Sequence, residues 1–177
     1  MDAVYERREL CTGRREVVAN GILNPDAPYS LALETRKNHQ VVNQTNPAIP
    51  AAGVQLQIAA LRAKHPSAIH RPVGPSSRYN CHGLTFGARR TGINEAKEVQ
   101  KILIDDGYED VPIANVIPGD TAVYAEAGDV SHSGIVMHLK QGVPWILSKW
   151  GDCHEVIHAV SDSPYTKATV KYYRLRK

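Results

Sequence analysis

From Pro118 onward the chain is cut at short intervals by turn signals: Pro118-Gly119-Asp120, Gly128-Asp129, Gln141-Gly142 and Gly151-Asp152. Between them lie apolar, β-branched runs: Thr121 to Ala125, Ser131 to Leu139, Val143 to Trp150 and His154 to Val160, with a last one from Ala168 to Leu175. Short runs of this composition, joined by tight polar turns, predict neighbouring antiparallel strands. Nothing in this half leaves room for a long helix.

The first half reads differently. Val54, Ile58 and Leu61 are spaced four and three apart and predict a helix over Val54 to Lys64, ended by His65-Pro66. A second helix is expected from Cys81 to Arg90. A third is expected from Ile93 to Gly107, with Ile93, Ala96, Val99, Ile102 and Leu103 on one face and Glu95, Lys97, Glu98 and Lys101 on the other. Helices first and strands afterwards give an α+β class. Residues 1–50 are charge-rich and broken by Gly21, Asn24-Pro25, Pro28 and Asn46-Pro47. They read as a partly irregular accessory arm, with a short helix over Tyr5 to Val18, ahead of one domain over residues 51–177.

Composition narrows the function. The chain has 177 residues, 42% hydrophobic and 22% charged, which suits one folded domain. Its net charge of +3 is too small to argue for nucleic acid. No apolar run reaches membrane-span length. No apolar leader follows Met1, so the expectation is a protein cytoplasmic as synthesised, with export falling to a dedicated secretion system. Three cysteines, Cys11, Cys81 and Cys153, do not suggest a disulfide framework.

Chemistry concentrates at Ser76-Ser77-Arg78-Tyr79-Asn80-Cys81-His82-Gly83-Leu84. A polar, turn-prone run delivers Cys81 to the first turn of a helix, where backbone N–H groups lack intrahelical partners and the dipole is positive. Both lower a thiol pKa, and the same N–H groups suit an oxyanion. His82 adds a second cation beside the thiol. Against this stands the plain alternative of a small buried cysteine. About fifty residues on, Ser131-His132-Ser133-Gly134-Ile135-Val136 puts His132 at the start of an apolar strand. A cysteine at a helix start and a histidine on a later strand suit the nucleophile–base pair of a thiol hydrolase.

Cys81-His82-Gly83-Leu84, then Pro118-Gly119-Asp120-Thr121-Ala122-Val123, then His132-Ser133-Gly134-Ile135-Val136 resemble, in order and spacing, the NlpC/P60 and CHAP cysteine peptidases and amidases. The resemblance spans residues 75–150. It implies a papain-like NlpC/P60-type domain, with N-terminal helices packed on a C-terminal antiparallel sheet. It implies Cys81 as nucleophile, His132 as base, an amide substrate such as a peptide or a peptidoglycan-like peptide, and no cofactor or metal. Asn80 fits the residue that the family places before its cysteine, whereas His82 stands where a serine is usual. The family's third polar residue, which orients the histidine, falls on Trp145 to Trp150, where Ser148 is the nearest acceptor; His158 on the following strand is the other candidate. Tyr79, Asn80 and His82 are the candidate substrate contacts, with core packing the alternative for Tyr79. A bacterial effector or toxin fits such a chain without a leader, and an inhibitor or immunity protein would then be its partner. The other class of reading is a binding module of the same fold without turnover.

His154-Glu155-Val156-Ile157-His158 is a literal H-E-x-x-H, and a zinc hydrolase is the third reading. Val156 and Ile157 favour a strand, on which the two histidines lie about 13 Å apart, too far for one metal ion. Lys149 reads as a solvated strand residue, Trp145 and Trp150 as packing, Asp120 as a turn residue, and Cys11 and Cys153 as incidental.

Overall fold

The computed structural model describes residues 28–47 and 52–176. In chain order the elements are α1 (Gly53–Lys64), β1 (Ile69–His70), α2 (Cys81–Phe86), α3 (Ala96–Asp105), β2 (Tyr108–Val111), β3 (Thr121–Glu126), β4 (Asp129–Lys140), β5 (Val143–Lys149), β6 (Glu155–Ala159) and β7 (Thr169–Leu175). All seven strands join one sheet in the order β1-β6-β5-β4-β3-β7-β2, antiparallel at every pairing.

This corrects the expected papain-like layout. The protein is mostly a seven-stranded antiparallel sheet with a few short helices, and the helices do not form an N-terminal layer packed on a C-terminal sheet. Two of the strands come from the part read as helical and linking: β1 lies before α2 and pairs with β6, and β2 directly follows α3 and pairs with β7. Gly107, at φ 77°, makes the turn between α3 and β2 that the sequence suggested only as a helix end. Glu109 and Asp110 are exposed on β2, and charges on an edge strand discourage further pairing.

The helix at Cys81 ends four residues earlier than its apolar run suggests. Gly87 caps it through an N–H bond to the Gly83 carbonyl, and Ala88 and Arg89 then take left-handed backbone angles (φ 50° and 64°). Each costs about 1 kcal/mol for a residue with a Cβ. The reversal brings Thr91 back against the helix, so close that a Cβ on Gly83 would lie 1.8 Å from the Thr91 carbonyl oxygen. Arg89 then reaches the buried carboxylate of Glu155, Nε to Oε1 2.5 Å.

The centre of the sheet is buried on both faces. In β3 the four consecutive residues Thr121 to Tyr124 are all buried, as a central strand requires. One face carries Ile135, Leu147 and Ile157 against Tyr79 and Leu84 of the α2 region. The other carries Ala122, Tyr124, Val136, Ile146 and Tyr172, with Tyr165 and Val170 packed against them. A third cluster, Ile93, Val99 and Ile102, takes in Val41 from the arm. Residues 28–47 are thus docked rather than loose: the Gln44 and Gly92 backbones exchange hydrogen bonds, and Glu98 Oε2 accepts the Val42 N–H at 2.8 Å. That bond explains why Glu98, expected on the solvated face of α3, is only 2% exposed. The expected helix over Tyr5 to Val18 and Cys11 lie outside the described residues.

Candidate functional site

Asn80 sets up the first turn of α2. Its backbone is extended, and its side-chain oxygen accepts the Gly83 N–H at 2.9 Å, a standard N-cap. Its amide nitrogen donates to the Ile93 carbonyl (2.7 Å) and to Asn94 Oδ1 (3.1 Å). The cap is therefore fixed from both sides, and Cys81 follows it directly.

The sulfur of Cys81 lies at a fork in the sheet. The β4–β5 ladder stops at Gly134 opposite Ser148. Ser133 and Lys149, one step beyond, are no longer paired with each other. The backbone N–H groups of Ser133, His82 and Cys81 itself favour the ionised sulfur. Burial pushes the thiol pKa up; the three N–H groups and the charge of Lys149 oppose that without overcoming it. The expected depressed thiol is thus absent in this closed form: Cys81 is 9% exposed.

His132 is fully buried on the face opposite Ser133. Its ring stacks on Tyr165, centroids 3.7 Å apart, and meets Tyr124 edge-on at 5.1 Å. Neither ring nitrogen has a hydrogen-bond partner among the described residues. Burial, then the charges of His158 and His82, hold its pKa well below the ordinary histidine value.

The two candidates for the third position bond to each other. Ser148 Oγ lies 2.9 Å from His158 Nε2, and His158 Nδ1 lies 2.8 Å from the Ala159 carbonyl. A carbonyl only accepts, so the proton is on Nδ1, and Nε2 accepts from Ser148. Neither side chain hydrogen-bonds to His132. Of the candidate substrate contacts, Tyr79 and Asn80 line a polar cleft of about 190 Å³ shared with Gln44, Asn46, Ser77, Gly92, Asn94 and Asp152. The Tyr79 hydroxyl is committed to Glu155 Oε1 at 2.9 Å. His82 points away from that cleft, its Nδ1 2.8 Å from Ser133 Oγ. Burial lowers its pKa to about 4, so it is neutral at pH 7 and adds no cation beside the thiol.

The H-E-x-x-H residues go to three different tasks. His154 Nε2 meets His70 Nδ1 at 2.5 Å. Glu155, wholly buried, is bound by Arg71, Arg89 and Tyr79. His158 belongs to Ser148. Their strand geometry separates the two histidines, and among the described residues no group of three histidine, cysteine or acidic side chains is placed to hold a metal ion.

Ser133 and Tyr165 were given no role from the sequence, and Lys149 was read as solvated. Ser133 contributes its backbone N–H and sits between His82 and Thr85 on its side-chain face. Tyr165 covers His132. Lys149 is 0% exposed, not solvated. Its signal was its place in a strand with apolar residues at consecutive positions, which indicates burial on both faces. Comparisons with protein-family models, curated proteins and solved structures each found no match. Among the described residues no helix is long and apolar enough to cross a membrane.

Proposed function

We propose that this protein is a thiol hydrolase acting on an amide bond, with Cys81 as nucleophile and His132 as the proton carrier. The observation that carries this reading is the buried His132 imidazole, neither of whose nitrogens has a hydrogen-bond partner among the described residues. His82, next to Cys81, lies 2.8 Å from the hydroxyl of Ser133, next to His132, which supports bringing the two chain positions together. An imidazole with a free acceptor nitrogen takes the thiol proton, and the thiolate attacks the carbonyl. The proton then passes to the leaving amine, and water hydrolyses the thioester. The three N–H groups around the sulfur stabilise negative charge there. The motif order shared with NlpC/P60 and CHAP enzymes supports the roles of Cys81 and His132 residue by residue. The substrate class it favours is a peptide, including a peptidoglycan-like peptide, and an effector or toxin role with an inhibitor or immunity partner accords with that chemistry.

The test is release of amine from peptidoglycan peptides and from unmodified peptides, followed by mass spectrometry with the protein substoichiometric. Many turnovers are expected for the natural chain, and none for Cys81→Ser or His132→Ala with unchanged circular dichroism. Product formation that survives Cys81→Ser would overturn the reading.

One observation favours a second reading, a binding module without turnover: the burial of both Cys81 and His132. Product stoichiometry separates the two.

A further inference from the structure

Lys149 is the most unusual charged residue in the protein. It lies at the end of β5 with 0% exposure, and no carboxylate forms an ion pair with it among the described residues. An ammonium taken out of water without an anion costs several kcal/mol. Its ordinary compensations are small. Its Nζ donates to the Gly151 carbonyl, and it lies 5.3 Å from the centroid of the Tyr79 ring. The nearest acidic groups are spoken for or outside: Glu155 is bound by Arg71, Arg89 and Tyr79, and Asp152 is exposed on the turn after Trp150.

The β4–β5 fork puts Lys149 at the same level as Ser133, and α2, which begins at Cys81, packs on both strands there: Leu84 lies against Leu147 and Ile135, and His82 Nδ1 is 2.8 Å from Ser133 Oγ. Tyr79, the ring under the ammonium, stands two residues before Cys81. The thiol is thus the uncommitted group in this neighbourhood that becomes an anion during the proposed reaction. We propose that Lys149 is the counter-ion of the Cys81 thiolate, a positioning residue that holds the sulfur ionised while His132 carries the proton. This rests on the hydrolase reading and names the charge that reading lacks, since His82 is neutral. No bond is made or broken at Lys149.

The groups that face the pair are few. Lys149 feels Asp152, Cys153, Cys81 and Glu155. The charge of Lys149 and the Ser133, His82 and Cys81 N–H groups act on the Cys81 thiol, the charge of Cys81 acts on Tyr165, and that of Lys149 on His154. Cys153 is the group that could mimic the effect, so the experiment is done with Cys153→Ser in all arms.

The thiolate absorbance of Cys81 is titrated in that background, taken as the difference from Cys81→Ser, with and without Lys149→Met. Methionine keeps the length and loses the charge. The expected result is a midpoint about one pH unit higher in Lys149→Met, a roughly tenfold smaller thiolate fraction below it. A purely structural lysine would leave the midpoint in place, and an unchanged midpoint overturns the proposal. Where Lys149→Met does not fold, the reciprocal measurement applies: nitrogen-15 resonance of the Lys149 ammonium, with Cys81→Ser beside the parent. Loss of the thiolate lowers the Lys149 midpoint if the two are paired, and equal midpoints overturn the pairing. Both titrations need no substrate. A failure of turnover therefore bears on the hydrolase reading alone, and a failure of coupling with turnover intact bears on Lys149 alone.

Discussion

His132 and Tyr165 lie face to face, ring centroids 3.7 Å and planes 16° apart. The imidazole is consequently shut off on one side by an aromatic ring that comes from the loop between β6 and β7. Tyr124 closes a second side at 5.1 Å. An imidazole held in this way is neutral at pH 7, and on the proposed reading substrate reaches it only if the Tyr165 loop shifts.

Replacing the covering ring tests that. Tyr165→Ala should expose His132 to diethyl pyrocarbonate, giving faster carbethoxylation of that residue by mass spectrometry than in the natural protein. The cost in stability is about 2–3 kcal/mol, the low end for removing an aromatic side chain, because Tyr165 is only partly buried. Equal rates of modification would mean that the ring is not the barrier.

Two glycines flank the site for reasons of space. A Cβ on Gly83 meets the Thr91 carbonyl at 1.8 Å, and one on Gly134 meets Ile146 Cγ2 at 2.5 Å and the Leu147 carbonyl at 2.6 Å. In both cases backbone must move. Gly83→Ala and Gly134→Ala are each expected to lose about 3 kcal/mol or more in urea unfolding, at the upper end for overpacking. Gly74→Ala, with nothing within 4 Å of the added atom, is the matched control and should change little.

Stability should fall in mild acid, well before carboxylates titrate. Burial holds His82, His154 and His158 at about 4, with the charge of His70 adding to the effect at His154, and places His132 well below its usual value. The unfolded chain takes up these protons near 6.5 and the folded chain does not. Stability is therefore complete above pH 6.5 and is lost as the pH falls from there towards about 4. Each group contributes a slope of up to about 1.4 kcal/mol per pH unit. Thermal melts across that window check it, and His82→Gln should flatten the slope by one group's share. A flat profile down to pH 4.5 would contradict the buried neutral state.

The strands from Thr121 onward were legible because each is bounded by its own turn signal, and because β-branched residues cluster between the turns. The helix start at Cys81 followed from local chemistry of the same kind, whereas Asn80 was noted only through the family resemblance and its capping bond to Gly83 is a finding of the structure. β1 was not legible, since Ile69-His70 between prolines carries no periodicity and gains its hydrogen bonds only from β6. The end of α2 at Phe86 was misread although its cap, Gly87, stands in the sequence; the left-handed turn at Ala88 and Arg89 that follows goes with the close approach of Thr91, a tertiary event. For the same reason Lys149 read as solvated. Alternation places a residue on a face, but whether that face meets water depends on what packs there, here Tyr79. The pairing of Ser148 with His158 depends on the β5–β6 register, Ile146 opposite His158, which one strand alone does not disclose.

The sharpest expectation concerns His132 itself. Its two nitrogens are buried with no hydrogen-bond partner among the described residues, an arrangement that costs about 1–3 kcal/mol for each unsatisfied group. A residue kept for packing would not carry that cost, because phenylalanine fills a similar volume and stacks on Tyr165 as well. His132→Phe should therefore raise the unfolding free energy by about 1–3 kcal/mol while abolishing release of amine from a peptide substrate. A structural histidine would give the opposite pattern, lower stability in the phenylalanine variant and no specific loss of turnover. Urea unfolding and the amine-release assay on one preparation distinguish them. A gain in stability coupled to a loss of reaction is the behaviour of a side chain retained for chemistry at the expense of the fold.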